Sequence, residues 1–296
     1  MFKSEISIVQ LALFQLVNSL AFGMLLFLLS AGFSLIFGVA RVANLAHGAF
    51  YVLSAYIGLS VTQLSGHFWL GVLVATLAGA LLGAAAERLL ISRLRGHELR
   101  QVLLTLGLSF VISDAVRLIW GSEIRSVSPP APFGGPLMLG GLLFPAYPFV
   151  VIVLGVLVFV LMRLVMRRTL AGAQIRAVTA DPRMSATLGL PVRRISMLTF
   201  AAGTALAAFG GAVGSPQLAL TPTLDSAMTL LALIVVVIGG LGSIEGAFLA
   251  SLLVGLVNGF GAVYFPAFAQ STVFALMILV IAVRPQGLLG RRAGAE

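Results

Sequence analysis

The sequence predicts an all-α polytopic membrane protein, a bundle of eight or nine transmembrane helices with glycine-broken or re-entrant segments. Three observations predict it. Of 296 residues, 60% are hydrophobic and only 9% are charged, against about 45–50% and about 25% in soluble domains. A soluble domain of this size must cover its surface with polar groups, and this chain has too few to do so. Mean hydropathy is +1.12, and the basic residues gather in the connections between long apolar runs.

Nine runs are expected to form spans. Ile8 to Val39 carries no charge and reads as one long span or a span plus a re-entrant piece. It is too long for the apolar region of a signal peptide and has no convincing cleavage site, so it is expected to be retained. The others fall at about 48–65, 68–92, 102–120, 146–166, 195–214, 227–241, 246–263 and 271–288. The two runs around Gly239–Gly246 are short enough to be one broken helix, which would make the number eight. Residues 121–146, rich in Pro and Gly, form the first long connection, and residues 167–194, strongly basic, form the second. No composition shift marks a domain boundary, so 1–296 is expected to be a single transmembrane domain.

Charge orients the bundle. The formal net charge is +9, from 18 basic and 9 acidic residues. Arg41 stands alone, and Arg88, Arg93, Arg95 and Arg100 share one connection. Arg163, Arg167, Arg168, Arg176, Arg183, Arg193 and Arg194 crowd another, and Arg284, Arg291 and Arg292 mark the tail. Counting spans puts all of these on one side, leaving Lys3, Arg117 and Arg125. The positive-inside rule makes that side cytoplasmic, with the N-terminus outside, the C-terminus inside and residues 121–146 extracytoplasmic. Basic charge in this distribution argues for topology and against nucleic acid.

Several chemistries are excluded. With no cysteine, the chain has neither disulfides nor thiolate metal sites. Lys3 is its sole lysine, so no Gly-x-x-x-x-Gly-Lys phosphate loop or kinase lysine exists. His47, His67 and His97 lie far apart, so no metal set and no catalytic constellation is expected.

Four places stand out. Asp114 and Arg117, three residues apart in a span, can pair as a structural ion pair near its outer end or serve as a gate or substrate contact. Gln10, Gln15 and Asn18 share part of one face of the first span, suited to interhelical hydrogen bonds or to a water path. Two glycine-interrupted breaks, Gly38 to Phe50 (with Asn44, His47 and Gly48) and Gly239 to Phe248 (with Gly240, Gly242 and Ser243), each resume with Gly-Ala-Phe. They read as discontinuous helices beside a translocation path, or as plain turns. In the basic connection, Asp181 can cap a helix opening at Pro182 and ending at Leu188, before Gly189 and Pro191. So short a helix cannot stand alone in water, so it docks on a protein or on the bilayer.

These residues resemble a known family. Gln15-Leu-Val-Asn-Ser-Leu20 with Asn44-Leu-Ala-His-Gly48, the segment Arg176–Ile195, Gly239-Gly-Leu-Gly-Ser-Ile-Glu-Gly-Ala247 and Arg284-Pro-Gln-Gly-Leu-Leu-Gly290 are similar, in order, to the permease subunits of branched-chain amino acid ABC importers. The resemblance covers nearly the whole chain. It implies a transport subunit of the inner membrane with no cofactor of its own, and ATP–Mg held on partner subunits. The implied partners are a second related permease, two ATP-binding cassette ATPases, a periplasmic solute-binding protein and a small amino-acid substrate. It also implies a coupling loop comprising Arg176, Ala180, Asp181, Pro182, Ala186, Leu188, Gly189 and Leu190. The general importer motif opens Glu-Ala-Ala, where this chain has Arg183-Met184-Ser185. Permeases for urea or short amides share much of the pattern and stay open as alternatives, as does an autonomous secondary transporter or channel.

Overall fold

The computed structural model describes residues 8–40, 43–139 and 142–290. Each of the nine apolar runs is a helix of its own: α1 (Ile8–Ala40), α2 (His47–Ser65), α3 (Phe68–Leu89), α4 (Glu98–Trp120), α5 (Tyr147–Arg168), α8 (Val192–Gly214), α9 (Leu224–Gly239), α10 (Ile244–Tyr264) and α11 (Ala269–Val283). Two helices in the basic connection, α6 (Leu170–Ala180) and α7 (Pro182–Thr187), complete the α-helical set among the described residues, with short 3-10 turns at Ile91–Leu94 and Pro266–Phe268. Within the Pro/Gly-rich connection, β1 (Pro136–Leu139) and β2 (Leu142–Pro145) form an antiparallel hairpin. Six helices are long and apolar enough to cross a membrane, α1, α3, α4, α5, α8 and α10, while α9 and α11 are shorter apolar helices.

Boundaries differ from the expected ones in two informative places. The last run stops at Val283 instead of continuing to 288, because Pro285 cannot extend the hydrogen-bonded ladder and Gly287 turns the chain at φ 79°. Gly239–Gly246 is a tight turn between two antiparallel helices, with Gly240 and Gly242 at positive φ.

α1 is the most buried of the long helices, and α4 and α5 are the most exposed. Around α1 pack α8, α10, α5 and α9, while α2 is enclosed by α3, α8, α9 and α4. Lipid tails are as apolar as leucine, so helices in a membrane associate through close packing and hydrogen bonds more than through water exclusion. This bundle makes its closest approaches at glycines. A methyl group on Gly32 would overlap the Gly203 carbonyl on α8, and one on Gly211 would overlap the Tyr51 carbonyl on α2. On Gly255 it would sit 2.6 Å from the Gly23 Cα and 2.7 Å from the Ser19 carbonyl oxygen. Aromatic contacts fill the wider gaps: Phe248 of α10 stacks on Phe159 of α5 with centroids 4.0 Å apart, and Phe27 of α1 meets it edge-on at 5.2 Å.

The arginines of Arg88–Arg100, Arg163–Arg194 and Arg284 gather at one end of the bundle, together with α6 and α7; we call it the basic end. Lys3, Arg41, Arg291 and Arg292, also used in the charge reading, lie outside the described residues.

Gly255→Val is expected to cost about 1–3 kcal/mol through overpacking against the α1 backbone. Gly107→Val is the control, since a Cβ there meets open space beyond its own helix among the described residues. Thermal unfolding of the detergent-solubilised variants measures both, and equal midpoints would refute close α1–α10 packing.

Candidate functional site: interior helix starts and a capped loop

α2 begins inside the bundle. His47 Nε2 lies 2.9 Å from the Leu29 carbonyl oxygen. Leu29 sits eleven residues before the end of α1, or roughly 16 Å along its axis. The chain therefore folds back into the bundle before the helix starts. Backbone donors at such a depth cannot be left to water, and side chains accept from them. Leu45 N donates to Thr105 Oγ1 of α4 (3.2 Å), Ala46 N to Asn44 Oδ1 (3.2 Å), and Gly48 N to Thr229 Oγ1 of α9 (3.1 Å). His47 N donates to the Asn44 carbonyl (3.1 Å).

The start of α9 meets this point. A Cβ on Gly48 would collide with the Asp225 carbonyl and with Thr229 Oγ1, so the two helices cross in backbone contact. Asp225, buried in the first turn of α9, accepts a hydrogen bond from Ser113 Oγ of α4 at 2.5 Å. A carboxylate at a helix N-terminus is favoured by the helix dipole. Before α9 the chain is again irregular: Leu220 exchanges backbone hydrogen bonds with Arg125 (3.0 and 2.8 Å), and its carbonyl also accepts from Tyr56 OH (3.3 Å). Two interior polar atoms at the crossing have no hydrogen-bond partner among the described residues, Asn44 Nδ2 and His47 Nδ1. Because Nε2 donates to a carbonyl, Nδ1 presents a lone pair. One donor, one acceptor and a carboxylate are thus held where two interrupted helices begin.

The other sequence-selected residues lie elsewhere. Gln15 Nε2 donates to the Gly259 carbonyl (2.7 Å), tying α1 to α10, and Asn18 is half-buried one turn further on. Both stand more than two turns from Leu29 and the crossing. Gly239, Gly240, Gly242 and Ser243 sit at the basic end, at the far end of α9 from Asp225. There the tail closes a clasp: Leu288 N donates to the Ile238 carbonyl (2.7 Å) and Leu289 N to the Gly239 carbonyl (3.1 Å). These satisfy carbonyls that a helix C-terminus leaves open. A side chain on Gly240 would strike Gly290, and one on Gly287 would strike Gly240, so the glycines of both motifs serve mutual approach. Ser243 caps α10 by accepting from Gly246 N (3.0 Å). Glu245 beside it pairs with Arg167 (2.6 Å) and Arg163 (3.2 Å) of α5. The Asp114–Arg117 pair forms at 3.6 Å on the exposed side of α4.

In the basic connection, local signals act as expected. Asp181 Oδ1 accepts from Arg183 N (2.8 Å) and Met184 N (3.0 Å), and Pro182 opens α7. Gly189, at φ 84°, ends it, with Gly189 N donating to the Ala186 carbonyl and Leu190 N to the Ser185 carbonyl, both at 3.0 Å. This paired pattern closes a helix through a left-handed glycine. Ala180, Ala186 and Arg176 face outward with it, while Leu190 is half-buried. Met184 and Leu188 are 58% and 75% exposed, so α7 offers apolar side chains to its surroundings.

Comparison with known proteins gives the family. The profile of the family described as Branched-chain amino acid transport system / permease component matches residues 15–283. The chain belongs to this family. Among its relatives, BraD of Pseudomonas aeruginosa, a high-affinity branched-chain amino acid transport system permease protein, is 30% identical over 94% of this chain and 95% of its own length. LivH of Escherichia coli (strain K12), described in the same words, is 27% identical over 94% and 95%. LivM of the same strain is 27% identical over 90% of this chain and 68% of its own length. This permease is therefore a multi-pass integral membrane protein of a family of transport subunits.

Sequence reading of the permease missed Asp225, Thr229, Ser113 and Thr105. Asp225 had one available signal, being the sole acidic residue between Asp181 and Glu245. The hydroxyl residues had none, because Ser and Thr are common in membrane helices and bond their own helix. Thr229→Val keeps the shape and removes the acceptor for Gly48 N. It is expected to cost about 1–3 kcal/mol, the penalty of an unsatisfied interior donor. A fall in the thermal midpoint of the solubilised permease measures it; an unchanged midpoint would refute the role given to Thr229.

Proposed function

We propose that this chain is the transmembrane permease subunit of an ATP-binding-cassette importer that moves branched-chain or similar hydrophobic amino acids across the bacterial inner membrane. The observation that carries the proposal is the capped α7, with Met184 and Leu188 exposed at the basic end, in a chain of this family. A six-residue helix held by its own caps and showing apolar side chains is suited to seat in a groove of another protein. The partners on this reading are two ATPase subunits, a periplasmic binding protein and a second related permease, a pairing favoured by the finding that one Escherichia coli strain supplies two permease proteins, LivH and LivM, among the relatives.

The basic end faces the cytoplasm, eight or nine helices cross, the N-terminus lies outside and the C-terminus inside. ATP–Mg acts on the partner subunits. Closure of the ATPase pair shifts α7, and the bundle alternates between outward and inward access. The interior helix starts at Asn44–Gly48 and Asp225 are the polar points along an otherwise apolar route, suited to the charged ends of a solute with an apolar side chain.

Two experiments test this. With no native cysteine, single cysteines at exposed Ser126 and Gln174 report the sides. An impermeant maleimide is expected to label the first in intact cells and the second only after permeabilisation, and the reverse pattern would overturn the orientation. Co-expression with candidate ATP-binding cassette ATPase subunits tests coupling. Leu188→Asp is expected to weaken ATPase capture about tenfold or more while membrane insertion persists. Unchanged capture and unchanged leucine uptake would overturn the coupling role, and uptake by this chain without any ATPase would favour an autonomous carrier. Binding of urea or short amides, instead of leucine, to the cognate binding protein would reassign the substrate.

A further inference from the structure

A cavity of about 800 Å³ opens at the basic end, between the end of α1, the α3–α4 connection, the α6–α7 junction and the start of α8. Its size falls within the usual range of small-molecule sites, about 300–1,000 Å³. Its wall is divided by chemistry. Ile36, Ile91 and Phe200, all buried, supply an apolar side. Facing the same space are Glu87, Glu98 and Asp181, three of the nine acidic residues in the whole chain, with Arg95 and Arg183.

The interior polar groups are arranged at a cost. Glu87 is 4% exposed and is held by Arg95 at 2.5 Å. Gln101, equally buried, donates through Nε2 to the Leu94 carbonyl at 2.9 Å. Thr199 is 2% exposed, lines the cavity, and its hydroxyl has no hydrogen-bond partner among the described residues. A threonine in a helix can bond the carbonyl one turn back; this one does not. A buried hydroxyl without a partner is costly and leaves a hydrogen-bond position to be filled from the cavity.

We propose that this cavity binds a free α-amino acid with an apolar side chain from the basic side, and that its occupancy restrains α7. The ammonium group meets Glu87 and Glu98, the carboxylate meets Arg95 and Arg183, Thr199 supplies a further hydrogen bond, and the side chain packs on Ile36, Ile91 and Phe200. Three carboxylates disfavour a polyphosphate, and the buried polar side disfavours an acyl chain. Asp181, Pro182 and Arg183 belong both to the cavity wall and to the opening of α7. A solute filling the cavity therefore holds α7 in place and opposes its movement. The proposal rests on the importer reading: product accumulating on the cytoplasmic side slows its own uptake.

The test uses the complete complex in vesicles, with the binding protein and leucine outside and leucine preloaded inside at rising concentration. Internal leucine is expected to inhibit ATP hydrolysis and uptake together. Thr199→Val is expected to raise the half-inhibiting concentration about fivefold, and Ser196→Phe, which fills the cavity, about tenfold or more. Equilibrium binding of radiolabelled leucine to the purified chain in nanodiscs, without binding protein, provides the second measurement and covers a variant that assembles poorly. Uptake by the wild-type complex with neither inhibition nor binding by internal leucine overturns this site and leaves the importer reading standing. Absence of leucine uptake overturns the amino-acid substrate of the importer reading, and the nanodisc measurement then decides the site. Inhibition that follows the phosphatidylethanolamine content of the vesicles, and not leucine, overturns the proposal in favour of a lipid headgroup.

Discussion

Everything distinctive in this fold depends on one constraint: a helix that starts inside a membrane protein must satisfy its first backbone donors without water. α2 meets it with Thr105, Asn44 and Thr229, each drawn from a different element. Because Thr229 belongs to α9, the start of α2 fixes the start of α9. Asp225 in turn is fixed by Ser113 of α4. A local necessity at Gly48 thereby sets the relative placement of three helices and gathers polar side chains in the interior.

Close backbone approach is the second organising requirement. At Gly48, Gly32 and Gly255 the neighbouring atom is backbone, so a side chain could be admitted only by moving a helix. The clasp at the basic end works in the same way. There the tail Gln286–Gly290 lies against the end of α9, its amides serve as the missing helix partners, and Glu245 links the same turn to α5 through two arginines. The basic end and the interior of the bundle thus differ. The basic end is tied together and presents α7, and the interior crossing holds Asn44 Nδ2 and His47 Nδ1 without partners among the described residues.

Much of the one-dimensional structure was legible. The apolar runs became helices at nearly the expected bounds, and α7 has the Asp181 cap, Pro182 start and Gly189 stop that its residues foretold, since caps and breakers act within a few residues. The two Gly-Ala-Phe echoes were less informative. At Gly246 the glycine serves an antiparallel turn, while at Gly48 it serves a crossing between elements 181 residues apart in sequence. Identical tripeptides therefore do different work. Asp225 carried one signal, its isolation among acidic residues, but its bond to Ser113 was illegible, because it depends on what faces it from another helix.

By itself the sequence determined the membrane class, the gathering of basic charge at one end, the helix bounds and the capped loop. All of these follow from composition, apolar run length and short-range capping. Only the tertiary structure decided which glycines touch, that the Gly239 and Gly287 motifs close on each other, and that three of the few acidic residues share one cavity. The physical reason is the solvent. Lipid and protein interior are equally apolar, so the inward and outward faces of a membrane helix carry no hydrophobic contrast, and the order of helices around the bundle is left to packing and hydrogen bonds.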